Sequence, residues 1–202
     1  MLLIHMRAGY LSICGIWMPP RRRNRNTVQY YIDRVRIRTF GGIMELVYTN
    51  PGLDEQVSQK IIAILQDRLS QEQEAALLLK HAHWNMKGTN FIAVHEMLDP
   101  EVDSCLEQAD ETAERIAQLG GWSDGRADAI VGNRSWERFD VEGSQDTSVY
   151  LKALITYYEG FIENDRKAIA ELDSLDVISS NIIQDHVQSL EKFLWFMRAH
   201  LA

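Results

Sequence analysis

From Leu53 onward, apolar residues return at steps of three and four: Val57, Ile61, Ile62, Ile64, Leu65, Leu69, Ala76, Leu77 and Leu79. That spacing lays one stripe along an α-helix and excludes a β-strand, whose faces alternate every second residue. The stripe predicts a first helix from Leu53 to about Asn85, with Pro51 and Gly52 in front of it and the turn "KGTN" behind it. Gly88 supplies that turn, and Thr89 or Asn90 caps a second helix from about Phe91 to Leu119, which ends at Gly120 and Gly121. Residues 122–144 read as a long ordered loop with one short helix. A third helix spans about Gln145 to Leu172 and a fourth about Val177 to His200, separated by "DSLD". No strand alternation of useful length follows Met44, so the class is all-α: a four-helix bundle with short first and last connections and a long crossover carrying a short helix between helices two and three.

A long middle connection is the ferritin-like arrangement rather than the up-and-down one. Charge divides the chain in two. Residues 1–43 carry eight of the 21 basic residues, all Arg, and one of the 29 acids, Asp33. The remaining stretch, 44–202, holds 13 basic and 28 acidic residues, a net charge of −15. Such a surface repels nucleic-acid phosphates and attracts cations. "RRRNRN" and "VRIRTF" have no clean period, so residues 1–43 read as a basic extension, disordered or not translated, ahead of a domain at 44–202. One reading makes the extension an arm for nucleic acid; the other makes Met44 the true start. "MLLIHMRAGYLSICGIWMPP" is too short and too interrupted by His5 and Arg7 to span a membrane, and no basic stretch precedes it as in a secretory signal. Two cysteines, Cys14 and Cys105, make neither a disulfide framework nor a zinc site, which points to a reducing, cytoplasmic setting.

Polar groups on the second helix raise the functional question. At 100° per residue, His95, Asp99, Asp110 and Glu114 share one face, yet the pairs His95/Asp99 and Asp110/Glu114 are centred roughly 22 Å apart along the axis. One metal ion with bonds near 2 Å cannot be held by both pairs of one chain. Two copies of the helix, antiparallel about a two-fold axis, bring the first pair of one against the second pair of the other and create two equivalent sites. The axial midpoint falls at Ser104 and Cys105, small residues that would allow close approach and bring Cys105 near its symmetry mate. His83 could join from the first helix, and imidazole with carboxylates suits iron among first-row metals. No glutamate has a histidine three residues later, which argues against a di-iron site inside one bundle. A solvated acidic face and core-packed histidines remain the alternative on spacing alone, with Trp84, Met86 and Met97 read as packing.

"HAHWNMKGTNFIAVHEMLD" followed by "ADETAERIAQLGG" closely resembles the signature of the Dps proteins, the miniferritins or DNA-binding proteins from starved cells, and "KFLWFMRAHLA" resembles the bacterial type. The similarity runs from about Leu46 to the C-terminus. The resemblance implies a hollow homo-dodecamer that oxidises Fe(II), preferably with hydrogen peroxide, and stores the ferric mineral inside, protecting DNA from oxidative damage. It implies a ferroxidase centre with His83, His95 and Asp99 from one subunit and Asp110 and Glu114 from its two-fold mate, and Trp84 beside it to intercept radicals. Carboxylates favour Fe(III), and two adjacent irons can give peroxide two electrons together.

Three departures qualify what the resemblance implies. Pro100 follows Asp99 and cannot donate an amide to the carbonyl of Glu96, so a kink beside a ligand is expected. The family's pore aspartate falls on Asn181, leaving Asp173, Asp176 or Asp185 to attract iron. Finally, "MELVYTNPGLDEQ" contains no basic residue, so DNA binding and nucleoid compaction, the alternative function, would need the Arg-rich residues 1–43.

Overall fold

The computed structural model describes residues 45–202 and, ahead of them, the backbone of three short strands, β1 (Met6–Arg7), β2 (Tyr10–Ile13) and β3 (Ile16–Met18). These pair antiparallel in sequence order. The chain divides into two units, 1–42 and 43–202. Apart from these strands, the expectation that the extension is disordered or untranslated concerns residues outside those described.

The second unit is built from α1 (Glu55–Asn85), α2 (Phe91–Gln118), the short α3 (Ala127–Asn133), α4 (Thr147–Leu172) and α5 (Val177–Ala199). Three of the four long helices start on an aspartate whose side chain accepts from the first turn: Asp54 from the Val57 amide, Asp146 from Ser148, and Asp176 from Ile178 and Ser179. Asn90 occupies the N-cap position of α2 but makes no side-chain cap bond; its amide oxygen accepts from the Thr147 hydroxyl instead. At the other end of α2, Gly120 takes φ +87°, and the amides of Gly120 and Gly121 donate to the carbonyls of Ala117 and Ile116. A Cβ at Gly120 would meet the Tyr48 carbonyl oxygen at 2.0 Å, so glycine is required there on both counts.

The start of α4 lies beside the end of α1, where β4 (Met86–Lys87) pairs in parallel with β5 (Gln145–Asp146). That pairing requires the crossover, residues 119–146, to run the length of the bundle. A polar row on α1 fastens it. Gln66 bonds both backbone groups of Asp124, Ser70 accepts from Asn133, Glu74 accepts from Arg134, Trp136 and Tyr157, and the His81 Nε2 lies 3.0 Å from the Val141 carbonyl oxygen.

Two apolar clusters fill the bundle. One holds Ile61, Leu65, Ile116 and Ile183; the other holds Leu79, Leu98, Leu154, Phe161 and Leu190. Between them, at α1 residues 68–72, the interior turns polar. Arg68 donates to Asp165 at 3.0 Å and to Gln71 at 2.9 Å, while Glu72 accepts from Thr112 at 3.0 Å and lies 3.1 Å from His186. All four long helices contribute to this layer. Burial pushes the Asp165 carboxyl up to about 7 and raises that of Glu72. Burial also works against a charged His186 ring, but the bonds to Glu72 and Glu111 outweigh it and hold the ring's pKa above its ordinary value.

Candidate metal centre at an exposed helix face

His83 closes α1 and His95 lies in the first turns of α2, so the "KGTN" turn brings them opposite each other. Each ring's Nδ1 sits 3.0 Å from the other residue's backbone carbonyl oxygen. A carbonyl can only accept, so both Nδ1 atoms carry hydrogen and Nε2 is the nitrogen each ring offers to a metal. The rings stack with centroids 3.5 Å apart, and Phe91 closes on His95 at 4.8 Å. Asp99 Oδ1 lies 3.3 Å from the His83 Nδ1 and 2.6 Å from the Lys80 ammonium. The Lys80 bond, aided by the charge of His83 and His95, holds the Asp99 carboxyl below the ordinary range.

Asp110 and Glu114 are exposed further along α2 on the same face. Among the described residues, no group of three or more His, Cys, Asp or Glu of this one chain is arranged to hold a metal ion. His83 contacts both His95 and Asp99, but the three form no such group within one chain, and Asp110 and Glu114 stand apart by the axial separation of their positions. Trp84 projects into solvent at 72% exposure, so it is not the core residue that the spacing alone allowed. Leu77, on the same side of α1, and Ile92 and Leu106 on α2 are also more than half exposed. The third histidine of the motif, His81, is engaged with the Val141 carbonyl oxygen of the crossover.

A ferritin-like domain model matches residues 62–202. The "DNA protection during starvation protein" of Mycolicibacterium smegmatis is 45% identical over 155 residues, which cover 76% of this chain and 84% of that protein. The chain belongs to the Dps family. The "fine tangled pili major subunit" of Haemophilus ducreyi is 42% identical over 154 residues, 76% of this chain and 81% of that one. Among solved structures, DpsA14 from Streptomyces coelicolor superposes with a TM-score of 0.75 at 40% identity, covering 78% of this chain and 94% of that one.

Against the Dps pattern, the departures resolve differently. Helix α2 continues through Pro100 to Gln118, and Asp99 keeps its place beside His83. Pro100 is exposed, so the carbonyl of Glu96 that it leaves without an amide faces the wet side of the helix. Of the acids near the start of α5, Asp173 accepts from Ser180, and Asp176 caps the helix and pairs with Arg115 at 2.8 Å. Partial burial opposes ionisation of Asp176, but Ser179 and Arg115 hold its carboxyl below the ordinary range. Asn181 and Asp185 are exposed one turn apart. The expected approach of Cys105 to its symmetry mate is corrected: Cys105 is 1% exposed and its Sγ lies 3.9 Å from the Tyr158 hydroxyl of its own bundle. The axial midpoint did not account for rotation, since at 100° per residue Cys105 points about 120° away from Asp99, and Asp103 and Leu106 occupy the shared face.

Sequence reasoning missed Lys80 and the polar layer around Glu72. The layer's signal was the break in the apolar stripe between Leu69 and Ala76, where Glu72 holds a core position.

Proposed function

We propose that this chain is an iron-storage and detoxification protein that oxidises Fe(II) with hydrogen peroxide at centres shared between two-fold-related subunits of a cytoplasmic dodecamer. Iron is the substrate. His83, His95 and Asp99 of one subunit and Asp110 and Glu114 of its mate bind it, and Trp84 stands beside them to intercept stray radicals. The observation that carries the reading is the His83/His95 clasp, which commits both Nδ1 atoms to the backbone, makes each Nε2 the nitrogen offered to a metal, and has Asp99 Oδ1 3.3 Å from the His83 Nδ1. Exposed Leu77, Trp84, Ile92 and Leu106 supply an apolar surface for the second copy. Relatives named for DNA protection during starvation agree with it.

Three carboxylates from the two subunits stabilise Fe(III) more than Fe(II), because hard anionic oxygens gain most from the higher charge. Two ferrous ions held close together each give up one electron. Peroxide takes both electrons and two protons, its O–O bond breaks, and two waters leave without hydroxyl radical. The stacked histidines tolerate no swing of either ring, because each is held by the other's backbone.

The test is ferric absorbance after anaerobic addition of Fe(II) and hydrogen peroxide to the assembled protein, with His83→Ala and Glu114→Ala as controls. Rapid oxidation lost in both variants is the expected result; wild-type rates equal to the buffer blank refute the reading. The eight arginines of residues 1–43 favour a second reading, DNA binding through the extension. A gel shift that survives removal of residues 1–43 would refute that second reading.

A further inference from the structure

His186 sits in the polar layer of the bundle, 2% exposed, with its two nitrogens turned to different carboxylates. Nδ1 lies 3.1 Å from Glu72 Oε1, an oxygen that also accepts from the Thr112 hydroxyl. Nε2 lies 3.0 Å from Glu111 Oε2, on a side chain that is 64% exposed. A buried carboxylate that grips one nitrogen of a histidine and aims the other at an exposed carboxylate is the way proteins orient a metal-binding imidazole. Neither His186 nor Glu111 has a role in the two-fold centre.

We propose that Nε2 of His186 and the carboxylate of Glu111 form a second binding site for a divalent first-row cation, within one subunit, with Glu72 and Thr112 fixing the ring from behind and water completing the shell. The distances suit it. Two ligand atoms each about 2.1 Å from one ion and about 90° apart lie about 3.0 Å from each other, the angle of a six-coordinate ion. Charge favours it too. Glu72 and Glu111 face the ring from its two nitrogens, so a dication in place of the ring's Nε2 proton still meets a carboxylate of opposite charge. Furthermore, among the described residues Glu72 Oε2 and Asp165 Oδ2 are buried oxygens without a hydrogen-bond partner.

Glu111 also sits on a helix surface with Glu107 and Glu114 at the neighbouring i−4 and i+3 positions, all three exposed. Cations drawn to that surface meet the exposed Glu111 carboxylate first. Among the described residues no third His, Cys, Asp or Glu joins the pair in a metal-holding group, so the site binds more weakly than a closed structural one.

The probe is Co(II), titrated by calorimetry and visible absorption into the assembled full-length chain carrying both His83→Ala and Glu114→Ala, which remove the two-fold centre. About one Co(II) per subunit is expected to bind in that background, and adding Glu111→Gln is expected to weaken it roughly tenfold or more. Glutamine at this exposed position can still accept a hydrogen bond from His186, so folding is preserved; His186→Gln, checked for assembly by gel filtration, should give the same loss. Absence of Co(II) binding in that background, or binding unchanged by Glu111→Gln, overturns the proposal. If the double substitution removes no Co(II) relative to wild type, the two-fold centre fails instead, and the Glu111→Gln comparison still decides this site.

Discussion

Glu101 offers a sharp test of how the bundle interior handles charge. Its side chain is fully buried, its Oε2 accepts from the Tyr158 hydroxyl at 3.4 Å, and its Oε1 has no partner among the described residues. Burial pushes the carboxyl from 4.5 up to about 8, against the weak help of Tyr158. The native state therefore keeps a proton that the unfolded chain gives up near 4.5. Stability from this group is fully present below pH 4.5 and is lost as pH rises toward 8. At 1.36 kcal/mol per pH unit, the interval from 4.5 to about 8 corresponds to about 5 kcal/mol, of which about 3 kcal/mol is lost by pH 7. Glu101→Gln preserves shape and the acceptor for Tyr158 but has no proton to lose. Its extra N–H adds a fixed cost of about 1–3 kcal/mol that does not vary with pH. The measurement is urea unfolding of metal-free wild type and Glu101→Gln at pH 5, 6 and 7 and equal subunit concentration. The variant should gain on wild type by about 1.4 kcal/mol for each pH unit, whatever the other acids do, because they titrate alike in both proteins. A gap that stays flat or narrows with rising pH would refute a neutral buried Glu101.

Two further outcomes follow from the buried contacts. Arg68→Leu leaves Asp165, 1% exposed, without its cation and should cost about 3–5 kcal/mol in urea unfolding at pH 8, less at pH 5 where Asp165 is protonated; equal costs at both would contradict it. Glu74→Leu removes the acceptor shared by Arg134, Trp136 and Tyr157, so the crossover 122–146 should become the first site of limited proteolysis; cleavage elsewhere first would contradict that role.

How much of this was legible depended on whether a residue's partner lay near it in sequence. The long helices were readable because periodicity and the Gly120–Gly121 stop are local signals, and the long crossover followed from the glycine-containing stretch 122–144. The His83/His95 clasp joins residues twelve apart across one turn, and so the motif contained it. Glu74 meets partners about sixty to eighty residues away, and the α1/α4 end pairing joins Met86 to Gln145; no local pattern records such contacts. Cys105 was misjudged because position along a helix axis was followed without its rotation. Leu77 was read as part of the core stripe but is 62% exposed, an apolar residue that a single chain leaves without cover.

The claim at the centre of the account is that each oxidation site takes ligands from two subunits. Unfolding His83→Ala and Glu114→Ala chains together and refolding them as mixed assemblies tests it, with initial Fe(II) oxidation by peroxide as the readout. In a mixed pair, one site carries both defects and the other carries neither. Random pairing should therefore restore about a quarter of the wild-type rate from two inactive parents. Mixed assemblies as inactive as either parent would contradict the shared site.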